Sequence, residues 1–253
     1  MKLVDVHCHL DDPQFAADLP QVLVRAKKAG VVGIITNAIE PAAFPILLNL
    51  AKKNDIIKVA FGLYPDTVRD LAPTQIEQAL QQIVAQKNHI VAIGEIGLDY
   101  KNTIDDSGRE KQKKYFVEQL NLAKKLAKPV IIHSRNAEED CLQILAQQKQ
   151  EDVVLHCFCG TQAQVEFAKE QGFFFSIPVR AKSSKQFQMI IKTVPISRLL
   201  TETDAPYLHY KQERNEPANV ATTIYVIAKI KGMDSIEVSN NILANYIKLF
   251  SRK

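Results

Sequence analysis

Four of the chain's six histidines close short apolar runs: His7 and His9 end LVDVHCH, His133 ends VIIH and His156 ends VVLH. Carboxylates occupy the same kind of position. Glu95 interrupts IVAIGEIGLD, and Glu202 and Asp204 end LLTETD. One such histidine is ordinarily a hydrogen-bonded core residue, but a set of them with carboxylates suits a divalent transition metal. The candidate ligands are His7, His9, Glu95, His133, His156 and Asp204. Six exceed what one catalytic ion takes, about three with a position left open. Two divalent ions sharing a group accommodate six, and Glu95 is the natural bridge because a carboxylate has two oxygens. Ions about 3.5–4 Å apart suit in-line displacement at phosphorus. Asp204 ligates and also accepts a proton from the attacking water. Glu202 is either a partner that fixes a histidine tautomer or a further proton acceptor. The donor types fit zinc or manganese as well as magnesium.

These residues need a frame that brings distant segments to one rim. Short β-branched runs alternate with helical stretches along the chain. The runs fall at 2–7, 31–39, 56–64, 90–99, 129–134, 152–158, 172–177 and 198–204, and a last helical stretch closes the chain. The runs are apolar throughout, as parallel strands covered on both faces are. Eight such units in one chain predict a single (β/α)8 TIM barrel over 1–253, with an extra C-terminal helix. An open doubly wound sheet would favour a glycine-rich fingerprint after the first strand, where this chain has His-Cys-His. In a barrel the C-terminal strand ends build the active site. Strand alternation points His7 and His9 the same way, with Cys8 opposite and Asp5 one layer deeper on the histidine side. Glu202 and Asp204 co-face likewise. Ser107 with Glu110, Thr74 with Glu77, and Ser183 with Gln186 fit capping boxes. Phe116, Leu120, Ala123 and Ala127 form one helical face, and Gly30 sits where a first helix should stop.

Composition narrows the classes. The chain has 253 residues, 46% hydrophobic, with formal net charge +4. That excludes a disordered chain and leaves an anionic substrate open. No run approaches a membrane span, and polar residues interrupt the first apolar run before a secretory core forms. Four cysteines in this length read as reduced thiols of a cytoplasmic protein. No obligate protein partner is indicated.

The motifs HCH, GEIGLDY, IIHSR, LHCFCG, ETDAPYL and RNEP resemble, in order and spacing, the TatD-type metal-dependent deoxyribonucleases of the amidohydrolase-like superfamily. The similarity runs from Val4 to at least Pro217. It implies a TIM barrel, a divalent metal pair and hydrolysis of DNA phosphodiesters. The family is described as 3′→5′ exonucleolytic on single-stranded or frayed DNA, usually with magnesium, cytosolic, and linked to DNA repair and apoptotic DNA degradation. The resemblance puts one metal on His7, His9, Glu95 and Asp204, and the second on Glu95, His133 and His156. Two departures lie on the substrate side. Gly62-Leu63-Tyr64-Pro65 stands where many members have Gly-X-His-Pro, and SIPVRAKSSKQF lacks the usual glycine of the seventh-strand loop.

A polymeric anion needs contacts beyond the metals. Cationic candidates are Arg69, Arg135, Arg180, Lys182, Lys185 and Arg214, with Arg135 foremost because it lies two past His133. Tyr64 keeps a hydroxyl for a substrate hydrogen bond. Tyr64, Tyr100, Phe158, Tyr207 and Tyr210 are candidates for stacking on a base. His209 is placed to line the site, and His89 lies at the far end. Cys157 and Cys159 read as packing residues. No sequence-reading motif for DNA appears. The competing activity is another metal-dependent hydrolase of the superfamily acting on a small ester, amide or phosphoester. Many of those bridge their metals with a carboxylated lysine, where this chain has Glu95.

Overall fold

The computed structural model describes residues 1–211 and 213–251. Each apolar run forms a strand: β1 (Leu3–Cys8), β2 (Val31–Ala38), β3 (Ile57–Phe61), β4 (Ile90–Asp99), β5 (Val130–Arg135), β6 (Val153–His156), β7 (Phe174–Pro178) and β8 (Leu199–Glu202). They pair in parallel in sequence order. Helices cover them: α1 (Leu19–Ala29), α2 (Ala43–Lys53), α3 (Pro65–Asp70), α4 (Pro73–Ala85), α5 (Asp106–Leu126), α6 (Glu138–Gln147), α7 (Gln162–Glu170), α8 (Lys185–Thr193), α9 (Val220–Lys231) and α10 (Ser235–Phe250). This is the (β/α)8 barrel with an added C-terminal helix. No helix among the described residues is long and apolar enough to cross a membrane.

Local chemistry explains most helix ends. Gly30 ends α1 in the left-handed region (φ 96°), and a Cβ there would lie 2.5 Å from the Met1 carbonyl oxygen. Three expected capping boxes are displaced. Asp105, not Ser107, caps α5 by accepting from Gly108 N–H at 2.8 Å. Pro73 takes the first position of α4, so Thr74 falls inside the helix and Gln75 accepts from Ala72 N–H. α8 starts after Ser184, whose side chain makes no cap bond. A two-way box exists at Thr161 and Gln164 instead. Ala127 lies one past the end of α5, left-handed at φ 51°, so the helix's apolar face stops short of it.

Inside the barrel, Val6, Ile35, Ala60, Ala92, Ile131, Val154, Phe174 and Leu200 form one cluster, a residue from each strand. One side chain from every strand meets only in the lumen, so this is its packed layer. In β5, β6 and β8 the polar residue two positions on, His133, His156 or Glu202, continues the same face toward the mouth. β1 and β4 break this rule. Four residues of β1, Asp5 to Cys8, stand against three of β2, Ile34 to Thr36, and four of β4, Ile93 to Ile96, against three of β5, Val130 to Ile132. Each slip shifts the facing by one, turning His7 and Glu95 toward the site although Val6 and Ala92 face the lumen. Strict alternation therefore misplaces Asp5. Its carboxylate stitches the seam to β8, accepting from Thr203 N–H at 2.9 Å and from the Thr203 hydroxyl.

The barrel closes between β8 and β1. Asp204 N–H donates to His7 C=O and His9 N–H to Ala205 C=O, both at 2.8 Å. Thr201 adds a side-chain bond to Val4 C=O. The opposite end of the barrel is closed by α10, whose Leu249, Phe250 and Tyr246 pack on the lumen layer. Gly33 of β2 leaves room for this, since a Cβ there would stand 3.0 Å from the Tyr246 ring. Asn245 of α10 is buried and donates to Ile196 C=O and Leu199 C=O at 2.9 and 2.8 Å, fixing the helix to the start of β8. Asn245→Ala leaves both carbonyls unmet at an expected cost of about 2–4 kcal/mol. Urea titration should show the midpoint falling with an unchanged slope.

Candidate metal centre

Four donor atoms from three strand ends converge at the β1–β8 seam. His7 Nε2 lies 3.3 Å from Glu95 Oε2, 3.6 Å from Asp204 Oδ1 and 3.3 Å from His9 Nε2. His9 Nε2 lies 3.7 Å from Glu95 Oε2 and 3.4 Å from Asp204 Oδ1. Ligand atoms of a tetrahedral ion with bonds of about 2.0–2.2 Å stand about 3.3–3.6 Å apart. Four of the five separations fall in that spacing and the fifth is 3.7 Å. His7, His9 and Glu95, whose ligand atoms all lie within 4.8 Å of one another, form a group that could hold one metal ion, with Asp204 set against its two histidines. A second set forms on the other oxygen of the same carboxylate. Glu95 Oε1 lies 2.8 Å from His133 Nδ1 and 3.8 Å from His156 Nε2.

Each of three imidazoles has its other nitrogen committed. His9 Nδ1 is 3.0 Å from the Asn37 carbonyl oxygen, and His156 Nδ1 is 2.9 Å from Glu202 Oε2. His133 Nε2 is 3.1 Å from Asp99 Oδ2, which also accepts from the Tyr64 hydroxyl at 2.9 Å. An N–H directed at a carbonyl or carboxylate leaves the opposite nitrogen as a lone-pair donor, the tautomer a metal requires. His7 is placed by packing: its ring stacks on His156 with centroids 3.6 Å apart. Its Nδ1 is buried without a hydrogen-bond partner among the described residues.

The charges are balanced internally. Burial pushes Glu95 and Asp204 up, but the imidazoles around them outweigh it and hold both carboxyls below the usual range. Burial disfavours charge on His9 and His156, yet the adjoining carboxylates raise them to about 9 and about 10. His7 is lowered, by burial first and by His156 second. Asp99 falls to about 2 because the bonds from His133 and Tyr64 override burial. The carboxylates thus draw positive charge into a buried rim, and a metal cation held there would meet that demand in place of protons.

Above the donors opens a cavity of about 1110 Å3. Its walls are the loops after the strands, and His9, Glu95, His133, His156 and Asp204 reach it, as do Tyr64 and Arg135. Glu202 does not line it. It lies fully buried behind His156 and accepts from the Ser176 hydroxyl as well. Arg214 is not brought to the site: its guanidinium forks onto Asp18 at 2.7 Å and covers the Phe15 ring. Arg69 pairs with Asp66 and Asp70, Lys182 lies over Tyr210, and Lys185 is outside the cavity. His209 also lies outside it, 3.7 Å from Glu213, and His89 is exposed ahead of β4. Among the stacking candidates, Phe158 is buried and Tyr100 is bound to Asp140, while Tyr207 stands half-exposed at the mouth. Cys157 and Cys159 edge the cavity, and all four cysteines are free.

Two supporting residues escaped the sequence reading. Asp99 was signalled by its place four past Glu95 in GEIGLDY, on the same side of the strand after the register slip. Asn37 acts through its backbone carbonyl, which no side-chain pattern announces.

Comparison with known proteins agrees with this architecture. A family model described as TatD related DNase matches residues 4–251. Human deoxyribonuclease TATDN3 is 35% identical over 260 residues, covering 99% of this chain and 95% of the relative. YabD of Bacillus subtilis, an uncharacterized metal-dependent hydrolase, is 33% identical over 255 residues, covering 98% of each. The crystal structure of YJJV, a TatD homolog from Escherichia coli K12, superimposes with a TM-score of 0.89 at 31% identity, covering 99% of this chain and 98% of that one. The family match reaches from β1 into α10 and takes in every donor residue of both sets, so the chain belongs to the TatD-related DNase family of metal-dependent hydrolases.

Proposed function

We propose that the chain is a 3′→5′ exodeoxyribonuclease, hydrolysing DNA phosphodiesters at single-stranded or frayed ends with two divalent ions, in the cytoplasm. One observation carries the reading: two donor sets meet on the two oxygens of Glu95 at the floor of a large cavity. The volume, about 1110 Å3, lies at the upper end of small-ligand pockets, about 300–1,000 Å3, and suits part of a polymer better than a small ester. The name of the human relative supplies the DNA preference.

His7, His9, Glu95 and Asp204 would hold one ion, and Glu95, His133 and His156 the other. A divalent pair bound there acidifies water and neutralises charge developing on the phosphoryl oxygens. Asp204 turns Oδ1 toward His7 and His9, leaving Oδ2 to take the proton of the attacking water as its oxygen bonds to phosphorus and the bond to the leaving oxygen breaks. Arg135 clamps a non-bridging phosphate oxygen. Tyr207 offers its ring to the terminal base, a contact worth roughly 1–3 kcal/mol. The Tyr64 hydroxyl is spent on Asp99, so its share in binding is the ring beside His133. Glu202 acts through His156, holding its tautomer, rather than as a proton acceptor at the cavity.

The deciding experiment strips the protein with chelator and resupplies magnesium, manganese or zinc. End-labelled single-stranded DNA should then shorten stepwise from its 3′ end. Brisk turnover of lactones, amides or phosphotriesters with the DNA left intact would replace this reading with the small-substrate one. Asp204→Asn should keep the wild-type melting temperature and lose about 100- to 10,000-fold in DNA turnover. Glu202→Gln should weaken metal binding by about 10–100-fold in an ion titration, with activity recovered by excess ion.

A further inference from the structure

Seven of the chain's arginines lie in described residues, and five are engaged. Arg25, Arg69 and Arg214 pair with carboxylates, Arg109 bonds the Thr103 carbonyl beneath the Tyr100 ring, and Arg198 covers Phe174. The remaining two, Arg135 and Arg180, are exposed and have no side-chain partner among the described residues, and both line the cavity. A guanidinium carries five donors in a rigid fork, and leaving it unpaired at the mouth of a cavity is the arrangement of a site awaiting an anion.

Their placement is one-sided. Arg135 ends β5 and Arg180 follows β7, so both stand on the half of the mouth built by the loops after β5 to β7. Ser183 and Ser184 line the same half, the Ser183 hydroxyl donating to the Arg180 carbonyl at 3.4 Å. One carboxylate, Glu138, lies there, and neither guanidinium pairs with it. The loops after β1 and β2 form the facing wall and carry the opposite charge: Asp11, Asp12 and Glu40 line it, with Ile39 and Ile46 exposed between them. A polyanion laid across this mouth meets cations on one side and carboxylates with apolar surface on the other.

We propose that Arg180, with the hydroxyl of Ser184, forms a subsite for the phosphate adjoining the scissile one, and that the wall of Asp11, Asp12 and Glu40 excludes a phosphate from the other side. The scissile phosphodiester sits over Glu95 with Arg135 beside it, the chain continues along the β5–β7 half, and the end nucleotide with its free hydroxyl faces the acidic wall. This rests on the nuclease reading above. Under its 3′→5′ polarity, the favoured neighbour is the phosphate on the 5′ side.

The test uses metal-loaded protein and three substrates: thymidylyl-thymidine, the same dinucleotide with a 5′-phosphate, and the same with a 3′-phosphate. The 5′-phosphate should lower KM about tenfold with kcat changed little, and the 3′-phosphate should give no gain. Arg180→Gln should erase the 5′ gain and flatten the salt dependence of KM by about one phosphate contact, a slope change of about 0.7. Arg180→Lys should keep part of the gain. The melting temperature should not move, since the side chain has no internal partner. Equal gains from both phosphates, no gain from either, or a gain that survives Arg180→Gln would overturn the subsite while leaving the nuclease intact. A gain from the 3′-phosphate that Arg180→Gln erases would keep the subsite and reverse the polarity. Absence of cleavage of all three, with turnover of an aryl phosphodiester, would sink the nuclease reading and this inference with it.

Discussion

A single buried carboxylate holds the centre together. Glu95 presents one oxygen to His7 and His9 and the other to His133 and His156, so every imidazole of the rim is arranged around it. A buried anion is tolerable only when its charge is matched at close range. That condition fixes what surrounds it: imidazoles rather than hydroxyls, three of them anchored from behind by Asn37, Asp99 or Glu202 and the fourth, His7, held by stacking on His156. The same demand for positive charge suits the pocket to a metal cation.

The barrel meets this demand through local irregularity. Regular alternation would aim the residue after Ala92 by twos and send Glu95 into the helix layer. The register slip in β4 reverses that, and the slip in β1 does the same for His7. The seam between β8 and β1 then does double duty. Its closing hydrogen bonds join His7 and His9 to Asp204 and Ala205, so the backbone contacts that complete the cylinder also set the spacing of three candidate donors. Fold and site are coupled there more tightly than anywhere else in the molecule.

How much of this was legible follows from where the information resides. Repeated β/α units, and polar residues closing apolar runs, are properties of single segments, and from these the barrel and the six donor candidates could be read. The register slips could not, because they are relations between neighbouring strands; Asp5 was accordingly put on the wrong face. Arg214 was a plausible anion contact by sequence position, but Asp18, nearly two hundred residues away, takes its guanidinium. Glu202 stood open between two roles until its burial behind His156 separated them. Two helix starts differ because a proline one residue before Thr74, Pro73, takes the first position and an aspartate two residues before Ser107, Asp105, takes the cap.

The plug formed by α10 bears on how a long substrate is handled. Phe250 and Leu249 close the barrel's far end, and eight packed side chains fill the lumen above them. Nothing the width of a nucleotide passes through. The floor of the cavity is a cul-de-sac, so under the nuclease reading proposed above each released fragment would back out through the opening by which the strand entered. Threading of the kind that lets toroidal enzymes digest without letting go would then be closed to this molecule by its architecture.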